Sequence, residues 1–266
     1  MFTNIMPQRA SAAIVAVVWG VSGFIPGWAD RLAAQEGGRV SISVDEGRPL
    51  KAVVMELEQR FGWIVTYEDP AYLFAPEIKD VRHLRNDGKD LPLLAPRGGP
   101  FTFSYTLPRA TQTTPPPQEA MLGALLDQYH RTGYPGRFRL VRTGVVYHVV
   151  PTMTRDETGV FRPYGSILDR RISLPDREVD GMEMLELIKA AVRRGGDERL
   201  RVGTFLTGMF LQAGVRSGAH DESVRSVLLR MLASINPRLS WRLLCGPARG
   251  TGTCNLGIYQ VRPVSR

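Results

Sequence analysis

Two stretches of this chain, about a hundred residues apart, carry one pattern. LLDQYHRTGYPGRFRLV (125–141) and LLRMLASINPRLSWRLL (228–244) align so that Leu125, Leu126, Phe138, Arg139 and Leu140 meet Leu228, Leu229, Trp241, Arg242 and Leu243. The segments just downstream also repeat: VVYHVVP and GIYQVRP set Tyr147 against Tyr259 and Val149 against Val261. Upstream the match is weaker, with Val53, Val54, Leu57 and Phe61 meeting Met184, Leu185, Ile188 and Val192. A repeat at this spacing implies one small supersecondary unit built twice, which limits the fold more than composition does.

Periodicity gives each unit its elements. Val40, Ile42 and Val44 alternate, as in a half-buried strand. Leu50, Val53, Val54, Leu57 and Phe61 fall on one helical face, and residues 63–67 return to strand-like types. FTFSYTL (101–107) alternates again, Leu122, Leu125, Leu126 and Tyr129 mark a second helix, and a hairpin turns at Thr143-Gly144. In the second half, Asp180 with Glu183 has capping-box spacing, and Val224, Val227, Leu228, Met231, Leu232 and Ile235 form a clean helical stripe. Each half thus reads β-α-β-β-α-β-β, an α+β chain of two tandem small domains over 39–154 and 171–262. Residues 155–170 read as a linker. A Pro/Gly-rich insertion, roughly 70–118, reads as a surface excursion of the first domain.

Ahead of these units Arg9 precedes an uncharged apolar run, Ala10 to Ile25, closed by Pro26-Gly27-Trp28-Ala29. This has the form of a signal peptide over 1–29, with cleavage near Ala29 or Ala34. The run is shorter than the ~20 residues a spanning helix needs; an uncleaved anchor is the alternative. No other stretch is apolar enough to span a membrane as a helix. The expected location is periplasmic or secreted, with no transmembrane span in the mature chain.

VSISVDEGRPLKAVVMELEQRFGWIVTYEDP (40–70) resembles the opening of the short N-terminal domain shared by secretins and TonB-dependent receptors. Pro49-Leu50, Leu57, Gly62 and Ile64-Val65 carry the match. QEAMLGALLDQYHRTGYPGRFRLVRTGVVYHVV (118–150) resembles that domain's second helix and closing hairpin. The resemblance covers 39–69 and 118–150, and the second copy more faintly. It implies a periplasmic protein-interaction module. The insertion is a departure from the pattern, and neither a barrel nor a secretin ring domain accompanies the two copies.

No catalytic constellation emerges. His83, His130, His148 and His220 are scattered, without metal-ligand spacing, and neither H-E-x-x-H nor G-x-S-x-G occurs. RGTGT (249–253) leads into a strand, so it lacks the helix N-terminus of a phosphate cradle. The acidic pairs Asp45-Glu46, Glu56-Glu58, Glu68-Asp69 and Glu77-Asp80 read as solvated faces and turns. The expectation is a protein with no catalytic residues, no metal and no cofactor.

Formal net charge is +8, unevenly spread: +2 over 39–154 and +6 over 170–262, nearly all of the latter arginine. The arginines form no dense run, so they read as a solvated surface. An anionic surface or glycan is the alternative, and nucleic acid is an unsuitable partner for an exported chain. The leading expectation is an exported, non-catalytic cell-envelope interaction protein whose partner is another envelope protein. Its candidate contact residues lie in the insertion: Tyr72, Phe74, His83 and Arg85. The alternative is a small-ligand or cell-wall-glycan-binding protein using Tyr72, Phe74, Phe101 and Tyr105.

Cys245 and Cys254 are the chain's two cysteines. By the two alignments above, both map onto Arg142, so they bracket nine extra residues at the base of the second hairpin. A metal would need two more ligands, and a redox pair more usually has C-x-x-C spacing. In an exported chain the position predicts a disulfide, stabilising by about 2–3 kcal/mol.

Overall fold

The computed structural model describes residues 38–84, 92–107, 117–247 and 252–264. The expected signal peptide and both its cleavage points lie outside them. In the first half the chain runs through β1 (Arg39–Glu46), α1 (Pro49–Phe61), β2 (Ile64–Glu68), β3 (Ile78–Asp80), β4 (Leu94–Pro96), β5 (Gly99–Thr106), α2 (Gln118–Arg131), β6 (Arg137–Thr143) and β7 (Val146–Arg155). β8 (Phe161–Pro163) comes next. The second half holds β9 (Arg171–Leu174), β10 (Glu178–Asp180), α3 (Gly181–Arg194), β11 (Leu200–Val202), α4 (Thr207–Gln212), β12 (Gly214–Arg216), β13 (Ala219–Ser223), α5 (Val224–Ile235), β14 (Leu239–Cys245) and β15 (Cys254–Gln260). The class is α+β.

Local chemistry sets the helix ends. Pro49 opens α1, where its fixed φ fits and its missing N–H is not needed. Gly62 closes it in the left-handed region at φ 66°, donating its N–H to the Glu58 carbonyl. Asp180 caps α3 through the N–H of Glu183, and Ser223 caps α5 through the N–H of Ser226. The stripes read from sequence point inward: Leu50, Val53, Val54 and Leu57 on α1, and Val224, Val227, Leu228, Met231 and Leu232 on α5 are all buried.

One set of pairings occurs twice. In the first half β1 pairs antiparallel with β5, β2 runs parallel to β7, and β6 pairs antiparallel with β7. In the second, β13 pairs antiparallel with β9, β11 runs parallel to β15, and β14 pairs antiparallel with β15. The halves are not separate bodies. β14 pairs parallel with β2, so one seven-stranded sheet runs β11-β15-β14-β2-β7-β6, with β8 attached to β7. Side chains alternate across this sheet. Val65, Tyr67, Phe138, Tyr147 and Val149 face α1 and α2, whereas Trp241, Leu243, Leu256 and Ile258 face α3 and α5. The two halves therefore cover opposite faces of a shared sheet.

Residues 155–170 are built into this body. β8 pairs with the end of β7, and Ser166 caps a short 3-10 turn whose Ile167 and Leu168 join the second core. Much of the insertion is also integrated. β3 and β4 form a two-stranded sheet of their own, while Phe101 and Phe103 of β5 lie in the first core.

Strand pairing corrects the hairpin alignment. Arg142 pairs with Tyr147 across the first hairpin, and Cys245 pairs with Cys254 across the second. Residues 246–253 thus replace 143–146, an extension of four residues rather than nine. Tyr147 corresponds to Cys254, and Cys254 does not map onto Arg142. Tyr259 is no counterpart of Tyr147, which is buried in the first core; Tyr259 is half-exposed, under the Arg242 guanidinium. The disulfide itself is formed, between directly paired residues at the ends of β14 and β15.

Candidate functional site

The seam between β14 and β2 concentrates the molecule's buried charge. Its backbone register sets Arg242 beside Tyr67 and Leu243 beside Glu68. Beyond the ladder, the Asp69 N–H donates to the Leu243 carbonyl at 2.8 Å, and the Ser240 hydroxyl donates to the Val65 carbonyl at 2.8 Å. Three carboxylates of the first half end here, each answered by an arginine.

Asp69 is fully buried and accepts four hydrogen bonds. They come from Arg48 Nε at 2.5 Å, the Cys245 N–H at 2.9 Å, the Tyr67 hydroxyl at 2.9 Å and the Tyr72 hydroxyl at 3.1 Å. Arg48 also donates to the Cys245 carbonyl at 2.8 Å. Burial pushes the Asp69 carboxyl above the usual carboxylate range, opposed by the Arg48 charge and these hydrogen bonds. Both tyrosine hydroxyls are raised well above their ordinary value, first by burial and then by the adjoining Asp69 charge. Glu68, next in sequence, projects to the other face. There it takes a forked pair of bonds from Arg225 of α5, at 2.7 and 2.8 Å, and Arg225 continues to Asp169. Glu58 of α1 pairs with Arg242 of β14, and burial raises its carboxyl against that arginine's charge.

His148 of β7 completes the seam on the α5 side. Its Nδ1 lies 2.8 Å from the Thr66 hydroxyl and its ring centroid 5.3 Å from that of Trp241. It is fully buried, and burial, reinforced by the Arg225 charge, lowers its pKa to about 4. A neutral imidazole under an indole is a packing element here rather than a ligand.

This arrangement joins the two halves through paired charges and backbone bonds. Each of the three carboxylates is paired with an arginine. A half-open cleft of about 510 Å³ lies over the seam, lined by Met55, Glu58, Arg242, Tyr259, Val261 and Arg262, but its two innermost charges neutralise each other. Among the described residues no group of three or more His, Cys, Asp or Glu is placed to hold a metal. No described helix is long and apolar enough to cross a membrane.

The candidate contact residues do not form one patch. Tyr72 is buried in the Asp69 cluster and is not a surface residue: its hydroxyl satisfies the carboxylate. Phe74 is half-buried near the Arg155 guanidinium. His83 is exposed in a 3-10 turn, and Arg85 lies outside the described residues. Of the aromatic set, Phe101 is buried against Tyr129, and Tyr105 packs beside the first core. Glu58, Glu68 and Asp69, read from sequence as solvated, are buried: Glu68 and Asp69 because β2 is an interior strand covered on both faces, Glu58 because α1 lays it against Val65 and Arg242. Arg242 stands at a repeated position, opposite Arg139, but nothing in the sequence singles out Arg48 and Arg225 from the other arginines. One local signal does mark the seam: residues 63–69, WIVTYED, lack strict polar alternation, as a strand buried on both sides should.

Compared with known proteins, the chain matches no family model, no curated protein and no solved structure.

Proposed function

We propose that this chain is an exported, non-catalytic interaction protein of the cell envelope, whose two secretin- and TonB-type short-domain-like units work by joining extended strands to their sheets. One observation carries the reading: the second half binds the first by accepting β2 along the outer edge of β14, with backbone bonds for adhesion and paired charges for register. Strand addition of this kind is a general mode of protein recognition. The disulfide suits an oxidising compartment, where such bonds persist. The glycan reading has less support, since Tyr72 and Phe101 are turned into the interior.

The test is capture from envelope extract with the oxidised full chain as bait, then reconstitution with the purified partner. Saturable binding to one envelope protein supports the role. Retention of the chain in the cytoplasm, or no partner under crosslinking, overturns it.

A further inference from the structure

The internal seam shows what one edge of this repeated unit accepts, and the same edge is open on the other copy. β6 stands in the first half where β14 stands in the second. Each is the outer arm of the closing hairpin, with Phe138 and Leu140 facing their core as Trp241 and Leu243 face theirs. The outer edge of β14 is occupied by β2. Among the described residues, the outer edge of β6 pairs with no strand.

Hydrogen bonding fixes the polarity of that edge. The Phe138 N–H points away from β7, donating to His130 Nε2 at 2.9 Å. By antiparallel alternation the backbone groups of Leu140 and Arg142 then point the same way. These correspond to Leu243, whose carbonyl accepts the Asp69 N–H, and to Cys245, whose N–H donates to the Asp69 carboxylate. Arg139, the counterpart of Arg242, is exposed; Arg142 is 57% exposed and lies 3.7 Å from the likewise exposed Glu119, a surface pair weak enough to exchange for a partner's carboxylate.

Resting on the interaction role proposed above, we infer that the outer edge of β6 is a docking site for an extended acidic segment of a partner protein, which adds parallel to β6 as β2 adds to β14. Its apolar residues continue the sheet. An acidic residue at its C-terminal end donates its N–H to the Leu140 carbonyl and accepts the Arg142 N–H, as Asp69 does at the seam. The exposed Arg139 and Arg142 select that charge. A second copy of this chain is the wrong occupant. Its corresponding edge strand is β11, whose pairing with β15 sets Leu200 where Val65 stands in the first half, so the positions of Glu68 and Asp69 fall on Gly203 and Thr204, and that of Glu58 on α1 is taken by Lys189 on α3: no acidic residue is offered to Arg139 and Arg142.

The probe is a synthetic peptide with the sequence of residues 63–70, WIVTYEDP, added to the oxidised full chain. Backbone amide shifts and hydrogen exchange are monitored at Leu140 and Arg142. The expected result is saturable binding with slowed exchange at both amides. Affinity falls at least tenfold for Arg142→Pro, which removes the outward N–H. It falls similarly for Arg142→Glu, and for a peptide with Lys at both acidic positions. Arg142→Glu keeps the test valid should the proline variant not fold. Absence of binding at millimolar peptide, undiminished binding to Arg142→Glu, or edge-to-edge dimerisation through β6 in sedimentation would each overturn the inference. An envelope partner still captured by Arg142→Glu would remove this edge and leave the interaction role standing; peptide docking without any envelope partner would do the reverse.

Discussion

The Asp69 carboxylate of the first half accepts the backbone N–H of Cys245 in the second at 2.9 Å, while Arg48 bonds both that carboxylate and the Cys245 carbonyl. A buried charge, a strand end and a disulfide thus meet at one point of the seam. Asp69→Asn keeps the shape but leaves Arg48 without its counter-charge. Removing one partner of a buried pair costs about 3–5 kcal/mol. Urea unfolding at neutral pH should show a loss of that order; a loss below about 1 kcal/mol would mean that the cluster does not hold the halves together.

The disulfide acts locally. It closes residues 246–253 at the base of the second hairpin, and the chain-entropy model assigns such a loop about 2–3 kcal/mol. The double variant Cys245→Ser, Cys254→Ser should lower the melting temperature while retaining the far-UV spectrum, because Arg48 and Asp69 still fasten the β14 end. Thiol labelling of the native oxidised chain should find no reactive cysteine. Loss of all sheet structure on reduction would contradict this division of roles.

Elements built on short-range periodicity are legible in the sequence. The apolar positions of α1 and α5 recur every three or four residues, and that spacing alone directs them inward. The seam is not legible in this way. The β14–β2 pairing joins residues some 175 positions apart and leaves no local trace except the non-alternating β2. The misaligned hairpin has a different origin. Matching Tyr147 to Tyr259 instead of Cys254 slips the strand by five residues, and a slip by any odd number sends every side chain to the opposite face. Alternation exposes the slip, since Val149 and Tyr147 face one core while Ile258, Leu256 and Cys254 face the other. Burial of Glu68 and Asp69 depends on which strands cover β2, and that is decided elsewhere in the chain.

His148 gives the fold an acid sensitivity of definite sign. Its pKa is about 4 in the folded protein and about 6.5 in an unfolded chain. Between these values the unfolded state binds more protons. The histidine's contribution is therefore complete above pH 6.5 and is lost as pH falls toward 4, by about 3 kcal/mol across the window. Glu58 and Asp69, with raised carboxyl pKa values, act in the opposite sense, so the total slope alone is not diagnostic. The difference between wild type and His148→Asn is. Wild type should lose more stability than the variant from pH 7 to pH 4; parallel curves would show that His148 does not titrate as its burial beneath Trp241 and near Arg225 requires.

Arg225 offers the sharpest separation of charge from packing. It reaches from α5 to Glu68 on the seam strand and to Asp169 at the entry to the second half. Arg225→Met alone leaves Glu68, which has no exposed surface, without a cation, and should cost about 3–5 kcal/mol. Adding Glu68→Leu removes the stranded charge and supplies apolar contact beneath α5. The double variant should therefore recover much of that loss, giving a coupling of about 2 kcal/mol or more in a double-mutant cycle read by urea denaturation. Additive losses would mean that the two residues contribute separately, and that the fork between them sets the register of the seam without stabilising it. Asp169 remains in either variant. Being partly exposed, it can be rehydrated, so it should add little to the measured coupling.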